Sequence, residues 1–307
     1  MILCSGEALI DMLPRETDGG ESAFAPYAGG AVFNTAIALG RLGVETGFFS
    51  GISNDLFGDI LTEKLAESGV DSAFASKSDR PTTLAFVKLT NGQASYVFYD
   101  ENSAGRMLAA SDLPTLGEDV RALFFGGISL AVEPCANAYE ALMTREADKR
   151  LIMMDPNIRQ GFIKDEATYR ARITRMMATS DVVKVSDEDL IWLSGGDDLK
   201  TAAKSLVASG TKLVCVTQGA DGVSGFTAEH EVFVPANKVE VVDTVGAGDT
   251  FNAGFLAALS DTGSLSKEAV DAMSQERIAA ALALGARAAA VTVSRAGANP
   301  PTRDELS

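Results

Sequence analysis

Short apolar runs alternate with helix-period segments along most of this chain, and that rhythm limits the fold more than any other feature. Ile2–Ala8, Thr46–Ser50, Ala122–Phe125, Leu151–Asp155, Val182–Val185 and Leu213–Thr217 read as core strands, several of them continuous apolar runs of the kind covered on both sheet faces. Helical patterns are expected over Ala31–Leu42, Leu56–Ser68, Pro134–Ala147, Asp187–Ser194, Lys200–Ser209, Asp249–Leu259 and Lys267–Ala290. Strand–helix alternation of this kind builds βαβ units, so the expected class is α/β with a mainly parallel central sheet. The 307 residues contain no internal repeat and no low-complexity linker, which favours one domain over residues 1–307.

Two segments break the rhythm. Met12–Tyr27 and Thr82–Tyr99 alternate apolar and polar residues in the manner of half-buried strands, and Asn91-Gly92 inside the second is a strong hairpin signal. They predict a small antiparallel sheet outside the main one, a lid built from segments of about 12–27 and 82–105. An edge extension of the main sheet is the alternative.

The net charge is −16, without a basic cluster, which argues against a nucleic-acid or anionic-membrane partner. No apolar run is long enough to span a bilayer, and the first residues lack a signal-peptide layout. Cys4, Cys135 and Cys215 are scattered in apolar or small-residue surroundings and read as buried thiols of a reducing compartment, so a cytoplasmic protein is expected. With His230 the single histidine, a Ser-His-Asp triad and most His-based metal sites drop out.

The chemistry concentrates in Asp243-Thr244-Val245-Gly246-Ala247-Gly248-Asp249-Thr250-Phe251. Small residues leave backbone N–H groups uncovered at a helix start, where they carry partial positive charge and suit a phosphate. Asp249 follows directly; the same field is expected to keep it ionised, so that it can act as a base. A plain helix cap would need an acid there but not the flexible residues before it. Gly29-Gly30-Ala31-Val32-Phe33-Asn34 is a second glycine-to-helix transition, fit for close approach of a small polar ligand with the Asn34 amide bonding it, or simply a tight turn before a core helix. Asp11 ends a strand and could grip vicinal hydroxyls or be a solvated loop acid. Asn157 and Arg159 follow the strand ending at Asp155, where Arg159 could supply positive charge to a phosphate. Ser186 and Asp189 open an acid-rich helix, as ordinary caps or as a water-mediated Mg²⁺ site. Thr217, Gly219 and Gly222 lie at another strand end that suits nucleotide phosphate or ribose, or is a plain turn leading to Val223–Thr227. A Walker A run, a Gly-x-Gly-x-x-Gly run after the first strand and a Cys-x-x-Cys pair are all missing.

Gly29–Gly43 and Asp243–Phe251 resemble, in order and spacing, the two signatures of the ribokinase-like (PfkB) carbohydrate kinases, and the resemblance covers essentially the whole chain. It implies a three-layer α/β/α sandwich with a small β-sheet lid and ATP as phosphoryl donor. It implies that Asp249 is the base, that the Gly246, Ala247 and Gly248 amides form the anion hole, and that Asp11, Gly29, Gly30 and Asn34 hold the sugar with Arg159 nearby. Ser186, Thr217, Gly219 and Gly222 would face the nucleotide. Asp189 would take part in Mg²⁺ binding, in a turn where the family carries Asn-x-x-Glu and this chain carries Ser186 and Asp189. Backbone oxygens of Asp243 and Val245 would offer a monovalent-cation site, K⁺ by expectation. The implied reaction is phosphorylation of a primary hydroxyl of a ketose, fructose first. 2-Keto-3-deoxygluconate, with Arg106 or Lys88 to meet its acid, ribose, and a nucleoside stacked on Phe98 or Tyr99 are the alternatives, as is a non-catalytic sugar sensor. Phe86, Val97 and Phe98 on the lid suggest a homodimer through that sheet.

Overall fold

Strands that are apolar on both faces must be covered on both faces, and the helices supply that cover. The computed structural model describes residues 1–90 and 93–306. In chain order the strands are β1 (Ile2–Ser5), β2 (Leu9–Glu16), β3 (Ser22–Gly29), β4 (Thr46–Phe49), β5 (Gly51–Ser53), β6 (Val70–Asp71), β7 (Ser76–Ser78), β8 (Leu84–Thr90), β9 (Gln93–Tyr99), β10 (Ala122–Gly126), β11 (Leu151–Asp155), β12 (Val182–Ser186), β13 (Leu213–Thr217), β14 (Gly222–Phe226) and β15 (Glu231–Pro235). The helices are α1 (Ala31–Arg41), α2 (Leu56–Glu67), α3 (Cys135–Glu146), α4 (Glu166–Thr179), α5 (Asp187–Ser194), α6 (Leu199–Ala208), α7 (Ala247–Asp261), α8 (Lys267–Asp271) and α9 (Gln275–Val293).

Among the described residues a nine-stranded sheet runs in the order β15-β14-β13-β12-β11-β10-β1-β4-β6. It is parallel from β13 to β6, and β14 and β15 extend it antiparallel. One core packs α1, α2, α7 and α9 on one face; the other packs α3, α4 and α6 on the opposite face. This is the three-layer α/β/α sandwich. Among the described residues no helix is long and apolar enough to cross a membrane.

The small sheet is separate from the large one, with strand order β3-β2-β8-β9. It starts earlier than expected, at Leu9, and ends at Gly29 in its first arm. It is also not purely antiparallel: β2 pairs β8 in parallel, Ile10 opposite Leu84, because the two strands arrive from different crossovers. The Asn91-Gly92 turn lies outside the described residues; the strands flanking it pair antiparallel, Thr90 opposite Gln93. Phe24, Phe86 and Tyr99 meet edge to face on one side of this sheet, with Phe24 and Tyr99 exposed. Phe98 turns the other way and meets Phe162 at 4.9 Å between ring centroids, so it is not part of the exposed face.

Two further expectations need correction. The segment 267–290 is not one helix: Ser266 caps α8 and Ser274 caps α9, each hydroxyl accepting a backbone N–H of its own first turn, so the chain breaks between them. The helix α4 was not expected; it is polar on all but one side, burying Tyr169, Arg172, Ile173, Met176 and Met177.

Helices α7 and α9 approach closely because small residues face each other. A Cβ on Gly254 would fall 2.8 Å from the Gly285 Cα. Gly254→Val should therefore destabilise the protein by about 1–3 kcal/mol or more through overpacking. A denaturant midpoint equal to that of wild type would contradict this packing argument.

Candidate active site

The ends of β1, β10, β11, β12 and β13 and the starts of α1 and α7 meet at the carboxyl edge of the large sheet, the usual ligand edge of open α/β sheets. Gly246 starts α7 with φ 77°, a left-handed conformation that glycine adopts without strain. A Cβ there would lie 2.8 Å from the Ala298 Cβ. Among the described residues the N–H groups of Gly246 and Gly248 meet no backbone acceptor, whereas that of Ala247 donates to the Thr244 carbonyl at 3.3 Å. The free N–H donors at this helix start are thus those of the two glycines rather than of all three residues alike.

Asp249 lies in the first turn of α7 and is 7% exposed. Its Oδ2 accepts from Asn34 Nδ2 at 2.9 Å, and Asn157 Nδ2 approaches its Oδ1 at 3.4 Å. The Thr35 hydroxyl donates to its carbonyl at 3.2 Å, which pins α1 to α7. Burial pushes the Asp249 carboxyl up to about 7; the Asn34 bond, Lys184 and Arg159 oppose this shift, and the Asp155 charge adds to it. The expectation of an acid kept ionised by the helix field is corrected here. Desolvation outweighs the Asn34 bond and the nearby positive charges and leaves a carboxyl poised near neutrality.

Asp11 on β2 lies over the glycine turn: a Cβ on Gly29 would fall 2.3 Å from Asp11 Oδ2. Burial pushes Asp11 up to about 6. Gly30 precedes α1 with φ 109°. The structure therefore brings Asp11 to Gly29 and Asn34 to Asp249. Arg159 is exposed, donates to the Ile158 carbonyl at 3.1 Å, and its charge acts on both Asp249 and Asp189.

Ser186 and Thr217 are register partners on adjacent strand ends. The Ser186 hydroxyl is engaged as the α5 cap, accepting from the Asp189 N–H at 3.0 Å. Thr217 donates to the Val185 carbonyl at 3.4 Å. Gly219 is open, with no heavy atom within 4 Å of where its Cβ would stand. Gly222 is turned inward instead, where a Cβ would fall 2.2 Å from the Val234 carbonyl, so the β14–β15 hairpin by itself accounts for this glycine.

Among the described residues no group of three or more His, Cys, Asp or Glu side chains could hold a metal ion. Asp189 offers a carboxylate at the start of α5: its Oδ2 accepts from the Ile158 N–H at 3.2 Å, and burial pushes it up to about 6. That donor set fits Mg²⁺ only with water and phosphate oxygens completing the shell. The Asp243 side chain is engaged with backbone, Oδ1 accepting from Val245 N–H at 3.0 Å and Oδ2 from Gly297 N–H at 2.9 Å. The carbonyls of Asp243 and Val245 receive no backbone N–H among the described residues, and such oxygens fit a hard cation.

Sequence reasoning missed a buried network beneath this site. Lys184 Nζ donates to Asp155 Oδ2 at 2.9 Å, with side chains 6% and 1% exposed. Asn252 Nδ2 donates to the same oxygen at 2.8 Å, and Asp155 Oδ1 accepts from the Asn157 N–H at 3.1 Å. A signal was present: Lys184 sits inside Val182-Val183-Lys184-Val185, and a charge in a buried strand needs a partner.

Uncovered N–H groups at a helix start, a buried carboxylate beside them and a glycine turn leading into the helix whose Asn34 bonds that carboxylate, on a three-layer sandwich, are the elements that phosphoryl transfer to an alcohol would use. Comparison with known proteins makes the class specific. The model of the pfkB family of carbohydrate kinases matches residues 1–305, and the chain belongs to that family. It is 56% identical over 278 residues to a fructokinase of Rhizobium leguminosarum bv. trifolii, covering 91% of this chain and 85% of that protein. Among solved structures it is similar to the fructokinase of Xylella fastidiosa with bound ATP, at TM-score 0.91 and 30% identity, covering 99% of this chain and 96% of that one. It is also similar to a double mutant of the fructokinase of Vibrio cholerae O395 with fructose, ADP and potassium bound, at TM-score 0.87 and 27% identity, covering 99% and 96%.

Lys184→Met keeps the side-chain length but leaves Asp155 buried without its counter-charge. It should cost about 3–5 kcal/mol of stability by denaturant unfolding. Adding Asp155→Asn should recover part of that loss, and strict additivity of the two would refute their coupling.

Proposed function

We propose that this protein is an ATP-dependent fructokinase, carrying the γ-phosphoryl group to the primary 6-hydroxyl of D-fructose, with Asp249 as the base. The observation that carries the residue assignment is the buried Asp249 carboxyl at the α7 N-terminus, pushed up to about 7 with an asparagine amide bonded to one oxygen and a second at 3.4 Å from the other. Family membership and 56% identity to a fructokinase support the acceptor.

In this reading fructose lies between Asp11, the Gly29–Gly30 turn, Asn34 and Asp249, with Arg159 near the transferred group. The hydroxyl attacks the γ-phosphorus in line. The O–H bond breaks to Asp249, the new O–P bond forms, and the bridging P–O bond breaks to release ADP. The Gly246 and Gly248 N–H groups, with that of Ala247 once freed from Thr244, bond the charged equatorial oxygens. Asp189 would hold Mg²⁺ through water, and the ion when bound offsets phosphate charge. The Asp243 and Val245 carbonyls would hold K⁺ beneath the anion loop. Thr217 and Gly219 would face the nucleotide. Segments 12–27 and 82–105 would form a lid on the single domain and exclude water from the transfer. The exposed Phe24 and Tyr99 on that sheet favour a homodimer through it. The buried free thiols of Cys4, Cys135 and Cys215 favour a reducing compartment such as the cytoplasm.

Arg106 speaks against an acid sugar. Its guanidinium pairs with Asp100 at 3.2 Å and donates to the Glu133 carbonyl, so its charge is already matched; the Lys88 side chain lies outside the described residues. Phe98 packs on Phe162, which leaves it a poor nucleoside stacking surface. A sugar sensor would bind fructose without turning over ATP, and an assay across fructose, ribose, 2-keto-3-deoxygluconate and adenosine separates all of these.

Asp249→Ala should leave ATP binding nearly intact and lower kcat by about 10²–10⁴ or more; full turnover would end the base assignment. The base works only when deprotonated, so kcat/KM of the wild type should fall about tenfold per pH unit below about 7. Asp11→Ala should raise KM for fructose far more than KM for ATP. Equal effects on the two would contradict its place in the sugar site.

A further inference from the structure

We infer that Glu7 is a positioning residue for the acceptor sugar: its buried carboxylate caps α1 from a distance and locks the Gly29–Gly30 turn to the turn that follows β10. The inference rests on the site reading above, in which that turn and Asn34 hold fructose.

A helix that starts after glycine has no side chain at its cap position, and Gly30 makes no side-chain cap bond. The cap comes instead from a residue 24 positions earlier. Glu7 Oε1 accepts from the Ala31 N–H at 2.9 Å, and Glu7 Oε2 accepts from the Ser129 N–H at 3.3 Å. Both are charge-assisted bonds to backbone, one of them at the positive end of a helix, where a carboxylate is favoured. Glu7 is 8% exposed, so neither bond is shared with bulk water.

The surrounding backbone is shaped to this carboxylate. A Cβ on Gly127 would fall 2.0 Å from Oε1, and one on Gly30 would fall 2.9 Å from the Glu7 carbonyl. The preceding Gly6 is held in turn: the Tyr139 hydroxyl donates to its carbonyl at 3.0 Å. Glu7 is thus fixed from behind and reaches forward to two loops, one with each carboxyl oxygen.

The consequence runs along α1. Ala31 is the first residue of that helix, and Asn34 stands one turn on, with its Nδ2 bonded to Asp249 Oδ2 at 2.9 Å. A shift in the α1 start moves the glycine turn and the Asn34 amide together. Glu7 makes its bonds to Ala31 and Ser129, away from the ends of β12 and β13 on the nucleotide side.

Glutamine is not an isostere here. Both carboxylate oxygens accept from N–H groups, and a carboxamide must turn its NH₂ toward one of those donors. Glu7→Gln should raise KM for fructose about tenfold or more, the scale of one lost charge-assisted hydrogen bond, while KM for ATP stays within about twofold. Glu7→Asp keeps the charge but is one methylene too short to span both loops. It should show the same split, and it decides the matter if the glutamine variant does not give folded protein. Unchanged KM values for both substrates, with only a lower melting temperature or active fraction, would reduce Glu7 to a structural role and overturn the inference, as would an equal rise in the two. Wild-type turnover on fructose is measured first and checks the functional reading; the ratio of the two KM changes checks this one.

Discussion

The site is organised by one buried carboxylate that does no chemistry itself. Asp155 ends β11 among apolar neighbours and is matched there by Lys184 from the next strand. Its two oxygens reach in different directions. Oδ2 holds Lys184 and Asn252, and through Asn252 the first turns of α7; Oδ1 holds the backbone of Asn157, a residue with φ 43° that is strained without such support. Asn157 then approaches Asp249 from one side while Asn34 holds it from the other. A buried ion pair adds little net stability compared with apolar packing, yet it demands one geometry. Here that geometry fixes the strand end, the αL turn and the α7 start relative to each other.

The same arrangement explains how a protein of net charge −16 can handle a polyanion. Charges separated by more than about 8 Å of physiological solution are largely screened, so the surface excess of acid matters less than the groups at the site. In the proposed reading those groups would be the uncovered N–H donors of Gly246 and Gly248, Lys184 beneath them and Arg159 at the rim. Lys184 lies so close under the loop that a Cβ on Gly248 would stand 3.0 Å from its Nζ. Burial that raises Asp249 to about 7 follows from the same enclosure. A fully solvated acid would hold its proton too weakly to accept one from an alcohol usefully, and an acid buried without Asn34, Lys184 and Arg159 would rise further and stay protonated.

Much of this was legible in the sequence, for physical reasons. The apolar runs from Leu151 and Leu213 matched the structure to the residue, because a strand buried on both faces admits almost no polar side chain. The glycine turns before α1 and α7 were legible because backbone geometry restricts what can stand there. What escaped was pairing at a distance. Nothing local ties Lys184 to Asp155, 29 positions away, or Glu7 to Ala31, and no propensity distinguishes a parallel β2–β8 pair from an antiparallel one. The helix α4 escaped because Ala and Thr share its exposed face with few charges while Arg172 sits on its buried face, which blurs the apolar stripe, and the strands β14 and β15 because Gly222 and Gly225 dilute an edge hairpin. The glycine at 222 has a structural reason of its own: the close passage of β15 leaves no room for a Cβ there.

The chain crosses from the large sheet to the small one within Gly6-Glu7-Ala8, between the end of β1 and the start of β2. It returns from β3 through Gly29 and Gly30 directly into α1. The acceptor loop is therefore the junction of the two sheets, and Asp11 and Gly29 belong to the small sheet while Asn34 and Asp249 belong to the large body. A sugar bound between them would be gripped by both and would tie the two sheets together. Any change in their relative placement alters the distance from Asp11 to Asp249 before it alters anything on the nucleotide side. In the proposed reading a polyol, unlike water, would be large enough to bridge the two parts, which would add to the lid's exclusion of water in favouring transfer to the alcohol.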